Sequence, residues 1–391
     1  MHKPHVLLMI ESSRGYGRGC LRGVARYLRN HRSWVPIPVE RGLLDDMPAA
    51  VREVRVDGVL ARIELRGLAD KIAALGVPVV DLRNAVPLPG MGVLDTDPAA
   101  TARMAADHLL DRGFRHFAFC GFPGVQYSDW RCEVFLAYLK DKDLSAAVYE
   151  PPHGVRRSPD ALTEELRGSL QLEHIAAWLA TLPRPLGLMA CNDARGRQVL
   201  DACHLHDIHV PEEIAVIGVD NDEVICDLSV PPLSSVEPDT IRIGFEGAEL
   251  IDRMMHGEPA PSKPKIFPPK GVVTRMSSDI LAVGEPVLVD ALHFIREHVA
   301  EGIDVNDVLE RMVVSRSTLE RLFKKWLGRT PKEEIQRLRI ESVKQLLHDT
   351  DYTLWEIARL TGFQTEPQLI VAFKALVGQT PGRFRQLARG N

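Results

Sequence analysis

The chain has 391 residues, more than a single hydrophobic core normally organises, so two or three compact units are expected. Apolar residues make up 45% and charged residues 26%, which excludes a disordered or fibrous chain, and no apolar run approaches the ~18 residues that cross a bilayer. The net charge of −5 is uneven: residues 312–391 carry 14 Lys/Arg against 8 Asp/Glu, net +6, on a remainder of net −11, so a polyanionic partner is expected for the C-terminal block alone and no membrane partner.

The N-terminus enters the apolar stretch 6–10 at once, too short for the hydrophobic region of a secretory signal, and a cytoplasmic location is expected. From there to about Val236, Val/Ile/Leu-rich runs alternate with amphipathic stretches. The pattern predicts strands at 6–10, 35–39, 58–63, 77–82, 117–121, 187–191 and 214–219, and helices at 17–29, 99–112, 131–140, 170–182 and 194–206. Near-continuous apolar strands separated by helices imply parallel sheets covered on both faces, an α/β architecture, and the length suits two lobes. Residues 259–270 are Pro-rich and predict a loop, and 277–285 read as a linker.

After Pro286 the pattern is helical only. Leu288, Ala291, Leu292, Ile295 and Val299 share one helical face, and Gly302 ends that helix. A repeat then occurs at an offset of 50 residues, pairing Leu319 with Leu369, Phe323 with Phe373, Lys324 with Lys374, Gly328 with Gly378, and Thr330-Pro331 with Thr380-Pro381. Each copy closes with Gly, restarts at Thr-Pro as N-cap and first helical residue, and follows a short helix, at 305–312 or 354–361. This predicts two helix-turn-helix units in tandem. The connecting helix, 331–348, is about 27 Å long at 1.5 Å per residue. That approaches the ~34 Å between successive major grooves on one face of DNA.

Two resemblances follow. Residues from about 287 onward resemble the AraC/XylS-type DNA-binding domain, through the double repeat, the Gly362-Phe363 turn and the closing Thr380-Pro381-Gly382-Arg383-Phe384-Arg385. Residues 1 to about 276 resemble the sugar-binding core of LacI/GalR-type regulators, through the stretches beginning at Val93, Met189 and Leu233 and through Trp130-Arg131. The first strand begins too early for that family's own N-terminal helix-turn-helix. The combination is similar to the family of bacterial xylose-operon regulators. It implies a two-lobed, periplasmic-binding-protein-like core (1–277), a linker (278–286) and an AraC-type domain (287–391). It further implies a homodimeric activator that binds double-stranded operator DNA, responds to a small sugar, D-xylose, and works with RNA polymerase. A regulator answering to another aldose or polyol, or a non-regulatory sugar-binding protein, is the alternative.

In such folds ligands sit beyond the C-terminal ends of the strands, in the cleft between the lobes. The polar residues following the strands are therefore the candidates: Tyr16 and Arg18, then Trp130 and Arg131, then Asp193 and Arg195, then Asp220. Arginine forks and carboxylates suit hydroxyl groups, and aromatic rings suit the apolar face of a sugar. Each has a plainer alternative: core packing for Trp130, a helix cap for Asp193, a turn for Asp220. The glycines at 15, 17 and 19 break the G-x-G-x-x-G spacing, because position 20 is Cys, so no dinucleotide cofactor is expected. No Cys-x-x-Cys or His-x-x-x-His occurs, so no metal is expected, and without a G-x-S-x-G, P-loop or HExxH an enzyme is not.

For DNA, the first recognition helix presents Arg316, Ser317, Glu320 and Arg321, with Lys324 beside them, for guanine, cytosine or phosphate. The second presents Thr365, Glu366, Pro367, Gln368, Ile370 and Val371, less polar than the AraC-type family usually shows and with Val371 where an Arg is often found, and Ile370 is suited to a thymine methyl. Lys374, Arg383 and Arg385 are expected on phosphates.

Overall fold

A computed structural model describes residues 3–42, 45–86, 88–152, 161–280, 282 and 285–388. The chain divides into two compact units, Met1–Ile280 and Leu281–Asn391.

The first unit opens with β1 (His5–Met9), α1 (Gly15–His31), β2 (Val35–Pro38), β3 (Gly58–Ala61), α2 (Arg66–Ala73), β4 (Val79–Asp81) and β5 (Gly92–Thr96). It crosses to a second lobe built from α3 (Pro98–Asp111), β6 (His116–Cys120), α4 (Gln126–Lys140), β7 (Ala146–Val148), α5 (Ala161–Gly168), α6 (Leu172–Ala180), β8 (Leu186–Ala190), α7 (Asp193–Leu205), β9 (Ile214–Val219), α8 (Glu223–Leu228) and β10 (Ser234–Glu237). The chain returns for α9 (Thr240–Met255) and β11 (Lys265–Phe267), then crosses again to β12 (Gly271–Val273).

Each lobe holds one sheet, in the orders β11-β5-β4-β3-β1-β2 and β12-β10-β9-β8-β6-β7. Neighbours are parallel, Leu7 standing opposite Val59 and Leu188 opposite Val216, except the antiparallel pair β10–β12. Strands β3, β8 and β9 are buried at every position, which accounts for their unbroken apolar runs. The strand order reverses beside β1 in one lobe and beside β6 in the other. At such switch points the loops diverge and leave a crevice.

Helices α1 and α9 pack closely because their contact is lined by glycine. A Cβ on Gly23 would lie 2.1 Å from the Ile241 carbonyl oxygen, and one on Gly244 would lie 2.0 Å from that of Cys20.

The predicted strands and helices are present, with shifted ends. The expected loop at 259–270 carries β11, an edge strand whose Phe267 enters the first lobe's core. The core also runs further than expected: Ser277 and Ser278 have no solvent exposure, and the Ser277 hydroxyl donates to the Val216 carbonyl at 2.7 Å. Their place in the expected linker is corrected by this anchoring. Residues 281, 283 and 284 of that linker lie outside the described residues.

The second unit is helical: α10 (Pro286–His298), α11 (Val305–Arg311), α12 (Arg316–Leu327), α13 (Pro331–Asp349), α14 (Leu354–Leu360), α15 (Glu366–Val377) and α16 (Pro381–Ala388). Caps set these boundaries. Asp304, Thr330 and Thr353 form reciprocal capping boxes, Ser315 and Thr365 cap α12 and α15, and Gly328 and Gly378 end those two helices in the left-handed conformation. Helix α13 joins the two helix-turn-helix units, contributing Ile340, Val343 and Leu347 to a core shared with Ile357, Leu369 and Phe373. Its buried Glu334 is paired with Arg337 at 2.8 Å and with Arg329, so that despite burial its carboxyl stays below the usual range.

Candidate functional site

The loops at the two switch points enclose one polar cavity. Glu11, Arg14 and Tyr16 reach it from the end of β1 and the start of α1, Arg62 from beyond β3, Arg83 from beyond β4, and Asp95 and Thr96 from β5. The second lobe supplies Tyr127, Trp130 and Arg131 from α4, Glu165 from α5, Asn192 and Asp193 from the end of β8, and Asp220 and Asp222 from the end of β9.

Its cations are matched one to one by carboxylates. Arg62 pairs with the fully buried Glu11, Arg14 with Glu165, Arg83 with Glu64 and, at 3.7 Å, Arg131 with Asp220. Arginine planes also lie over aromatic rings, Arg62 at 4.2 Å from the centre of Tyr16 and Arg131 at 5.0 Å from that of Tyr127. Three buried atoms of lining residues, Glu11 Oε2, Arg62 Nε and Arg131 Nε, have no hydrogen-bond partner among the described residues. One acceptor and two donors are thus left unsatisfied, at an expected cost of about 1–3 kcal/mol each.

The lobes are clasped beside this cavity. Asp222, from the second lobe, accepts from the Gly15 backbone N–H at 2.6 Å and from Arg18 Nη2 at 2.9 Å, both on α1.

Asp193 accepts from the Asp222 N–H at 2.8 Å and from the Ser235 hydroxyl at 2.6 Å. Burial, with the nearby Asp220 carboxylate adding to it, pushes Asp193 up to about 8. Burial also raises Asp95 to about 6, against the opposing pull of Arg83. A carboxyl raised in the folded state keeps its proton where the unfolded chain has already lost it. Stability from this source is therefore fullest at low pH and declines as pH climbs from ~4 toward ~8. His108, lowered by burial to about 3, acts in the opposite sense up to about pH 6.5. Thermal unfolding is therefore expected to show a melting temperature that falls between about pH 6.5 and about pH 8, with a flatter slope in Asp193→Asn, which fixes the neutral form. A wild-type melting temperature rising over that interval would contradict the assignment.

In the second unit, α12 turns Leu319, Leu322 and Phe323 inward and leaves Arg316, Ser317, Glu320, Arg321 and Lys324 exposed. Arg316 is steadied by Asn306 of α11 at 2.7 Å and lies 3.8 Å from Glu320. On α15, Thr365 uses its hydroxyl as the N-cap, Glu366 is half-buried in the first turn, and Ile370 packs against the unit's core. Val371 is exposed there, as are Lys374 and Arg383. Arg385 donates to the Tyr352 carbonyl at 2.6 Å.

Comparison with known proteins adds the lineage. A periplasmic binding protein-like domain matches residues 106–278 and a helix-turn-helix domain matches residues 308–387. A xylose operon regulatory protein of Escherichia coli K12 is 30% identical over 98% of this chain and 97% of its own length. The chain belongs to the xylose operon regulatory protein family. A Haemophilus influenzae member is 29% identical over 97% of both chains. The solved structure of a xylose-binding transcription activator superposes with a TM-score of 0.79 at 29% identity, covering 99% of each chain. Like other members of this family, the chain is a transcription regulator with a periplasmic-binding-protein-like core and a helical C-terminal unit.

Within that frame, five of the seven expected ligand residues, Tyr16, Trp130, Arg131, Asp193 and Asp220, line the cavity. Two do not. Arg195 is buried inside the second lobe, where its guanidinium donates to the Gly121 carbonyl at 2.8 Å and 3.1 Å and lies over the Phe122 ring at 4.3 Å. It lies two residues beyond the cleft-facing Asp193 on α7, and the ~200° of helix rotation between them carries it into the core. Arg18 lines an adjoining depression and is engaged by Asp222 and by the Ser12 carbonyl at 3.1 Å. Sequence reading passed over Glu11, Arg62, Arg83, Asp95, Tyr127, Glu165, Asn192 and Asp222. Glu11 closes the first strand and Asn192 and Asp222 neighbour chosen residues, so the rule of looking just past the strands already reached them. Glu165 carried no such signal.

Regulators with this α12 surface are expected to separate readout from anchoring. Arg321→Ala should relax preference at about one base pair by ~1–3 kcal/mol, whereas Lys374→Ala should weaken all sequences alike and lower the salt slope by ~1. Binding to a library of single-base operator variants distinguishes them, and a position-specific loss from Lys374→Ala would overturn the division.

Proposed function

We propose that this regulator is a cytoplasmic, homodimeric transcription activator whose cleft takes up D-xylose and whose two helix-turn-helix units engage double-stranded operator DNA and bring RNA polymerase into play. The cleft acts by binding rather than by catalysis. The observation that carries the ligand reading is the balance of the cavity. Four arginines are each matched by a carboxylate, which leaves no surplus positive charge for a sugar acid or sugar phosphate. The unsatisfied atoms of Glu11, Arg62 and Arg131 ask for a ligand that both donates and accepts, as a neutral polyhydroxylated molecule does. Trp130 offers an apolar face for ring carbons, while Tyr16 and Tyr127 line the cavity with arginines over their rings. We assign sugar contact to Tyr16, Trp130, Arg131, Asp193 and Asp220, joined by Glu11 and Arg62.

On the DNA side, the exposed Arg316, Ser317, Glu320, Arg321 and Lys324 of α12 support base reading by the first unit. The second anchors through Lys374 and Arg383, since Thr365 is used as a cap and Ile370 is drawn into the core.

Calorimetric titration of the full chain with D-xylose, L-arabinose, D-ribose, xylitol, D-xylonate and D-xylose 5-phosphate tests the ligand class. D-xylose is expected to bind most tightly and the two anions not to bind. Preference for a different neutral sugar would replace xylose within the same class, and preference for an anion would overturn the reading.

A further inference from the structure

The loop that follows β9, residues 220–222, faces three ways at once. Asp220 lines the cavity, Asp222 clasps Gly15 and Arg18 of the first lobe, and Asn221 between them accepts a hydrogen bond from Arg275 Nη1 at 2.9 Å. Asp220 and Asn221 both sit at positive φ, +106° and +46°; Asn221 is in the left-handed region that Asn adopts readily, whereas Asp220 lies beyond it, where the surroundings must hold it.

Arg275 is well placed to do the fixing. It lies two residues beyond β12, on the segment by which the chain leaves the first unit at Ile280. The same guanidinium donates to Asp227 at 2.9 Å and to the Leu233 carbonyl at 3.1 Å, while its backbone N–H donates to the Ser234 hydroxyl at 2.8 Å. Three residues on, Ser278 is gripped by His108 at 2.7 Å and by Arg112 at 2.8 Å, both near the end of α3. That helix begins at Pro98, itself on the cavity wall. Two continuous routes of direct contact, the loop with Arg275 and the rod of α3, thus run from the cavity to the same exit segment.

We infer that Arg275 is a positioning residue, which holds the 220–222 loop in its strained form and, through that bond, conveys effector occupancy to the segment joining the DNA-binding unit. The inference rests on the cleft being the effector site. Lobe closure moves Asp222 with Gly15 and Arg18, and Asn221, its neighbour in the chain, pulls on Arg275. Coupling of this kind requires an element both sites bias, and the exit segment is that element.

The test uses the full chain, D-xylose as probe and a DNA duplex selected by the wild type from a random pool. Asn221→Gly removes the acceptor while tolerating the positive φ, and Arg275→Lys keeps the charge beside Asp227 but loses the fork. Both variants are expected to bind D-xylose within about threefold of wild type while losing most of the sugar-dependent change in DNA affinity, together with the sugar-dependent hydrogen-exchange protection of residues 273–280. A merely structural role would lower sugar affinity and DNA response together. Variants that bind sugar and respond as the wild type does would overturn the inference alone. A wild type that fails to bind D-xylose would instead remove the ligand reading on which the inference stands.

Discussion

Arg131→Met is expected to weaken D-xylose binding by roughly 10-fold or more, the effect of removing a buried charged donor from the ligand's hydroxyl groups. The guanidinium belongs to a residue that lines the cleft. It donates to the Cys191 carbonyl, faces Asp220 at 3.7 Å, lies over the Tyr127 ring at 5.0 Å and has an unpartnered Nε. Methionine keeps the unbranched stem that packs along α4, so the loss falls on the polar contacts and on the Asp220 carboxylate left without its counter-charge. Calorimetry reads the affinity, and the melting temperature without sugar verifies the fold. Affinity within threefold of wild type would take Arg131 out of the site.

The second large effect belongs to Gly362, in the turn between α14 and α15 of the second helix-turn-helix. Its φ of +75° disfavours any side chain, and a Cβ there would stand 2.4 Å from the Val299 carbonyl oxygen and 2.9 Å from the Gly302 nitrogen, both backbone atoms that cannot swing aside. The conformational penalty of about 1–2 kcal/mol and an overpacking penalty of about 1–3 kcal/mol predict a destabilisation of the second unit near 3 kcal/mol for Gly362→Ala. Gly378 provides the contrast, with a φ of +78° and nothing within 4 Å of the position a Cβ would take. Gly378→Ala should therefore cost only the conformational part. Scanning calorimetry of the full chain is expected to show the lower-temperature transition for Gly362→Ala, with a loss of DNA affinity that Gly378→Ala largely escapes. Equal costs would mean that the turn relaxes without resistance.

The C-terminal unit was legible almost residue by residue because its determinants are local. Ser315, Thr330, Gly328 and Gly378 act on the turns they occupy, and the 50-residue repeat exposes them twice. The α/β unit was legible in its long buried strands and illegible in its short ones. β10 begins Ser-Ser and β11 begins with Lys, and both are strands because a neighbouring edge supplies the ladder. The cleft followed the same division. Asp193 and Asp220 were found by position after a strand, but Arg195, equally polar and nearby, turns inward because the helix rotates about 100° per residue. Glu165 was invisible because only the tertiary approach of α5 to the loop after β1 places it opposite Arg14.

A sugar held in the first unit is expected to change how the second engages DNA. Fluorescence anisotropy of a labelled duplex selected by the wild type, titrated with full chain at one fixed salt concentration with and without saturating D-xylose, measures it directly. Coupling of ~1–3 kcal/mol, a typical range, predicts an affinity change of about 5- to 150-fold on adding the sugar, absent in Arg131→Met, whose affinity for DNA without sugar stays that of the wild type. Superimposable wild-type curves with and without D-xylose would contradict the claim.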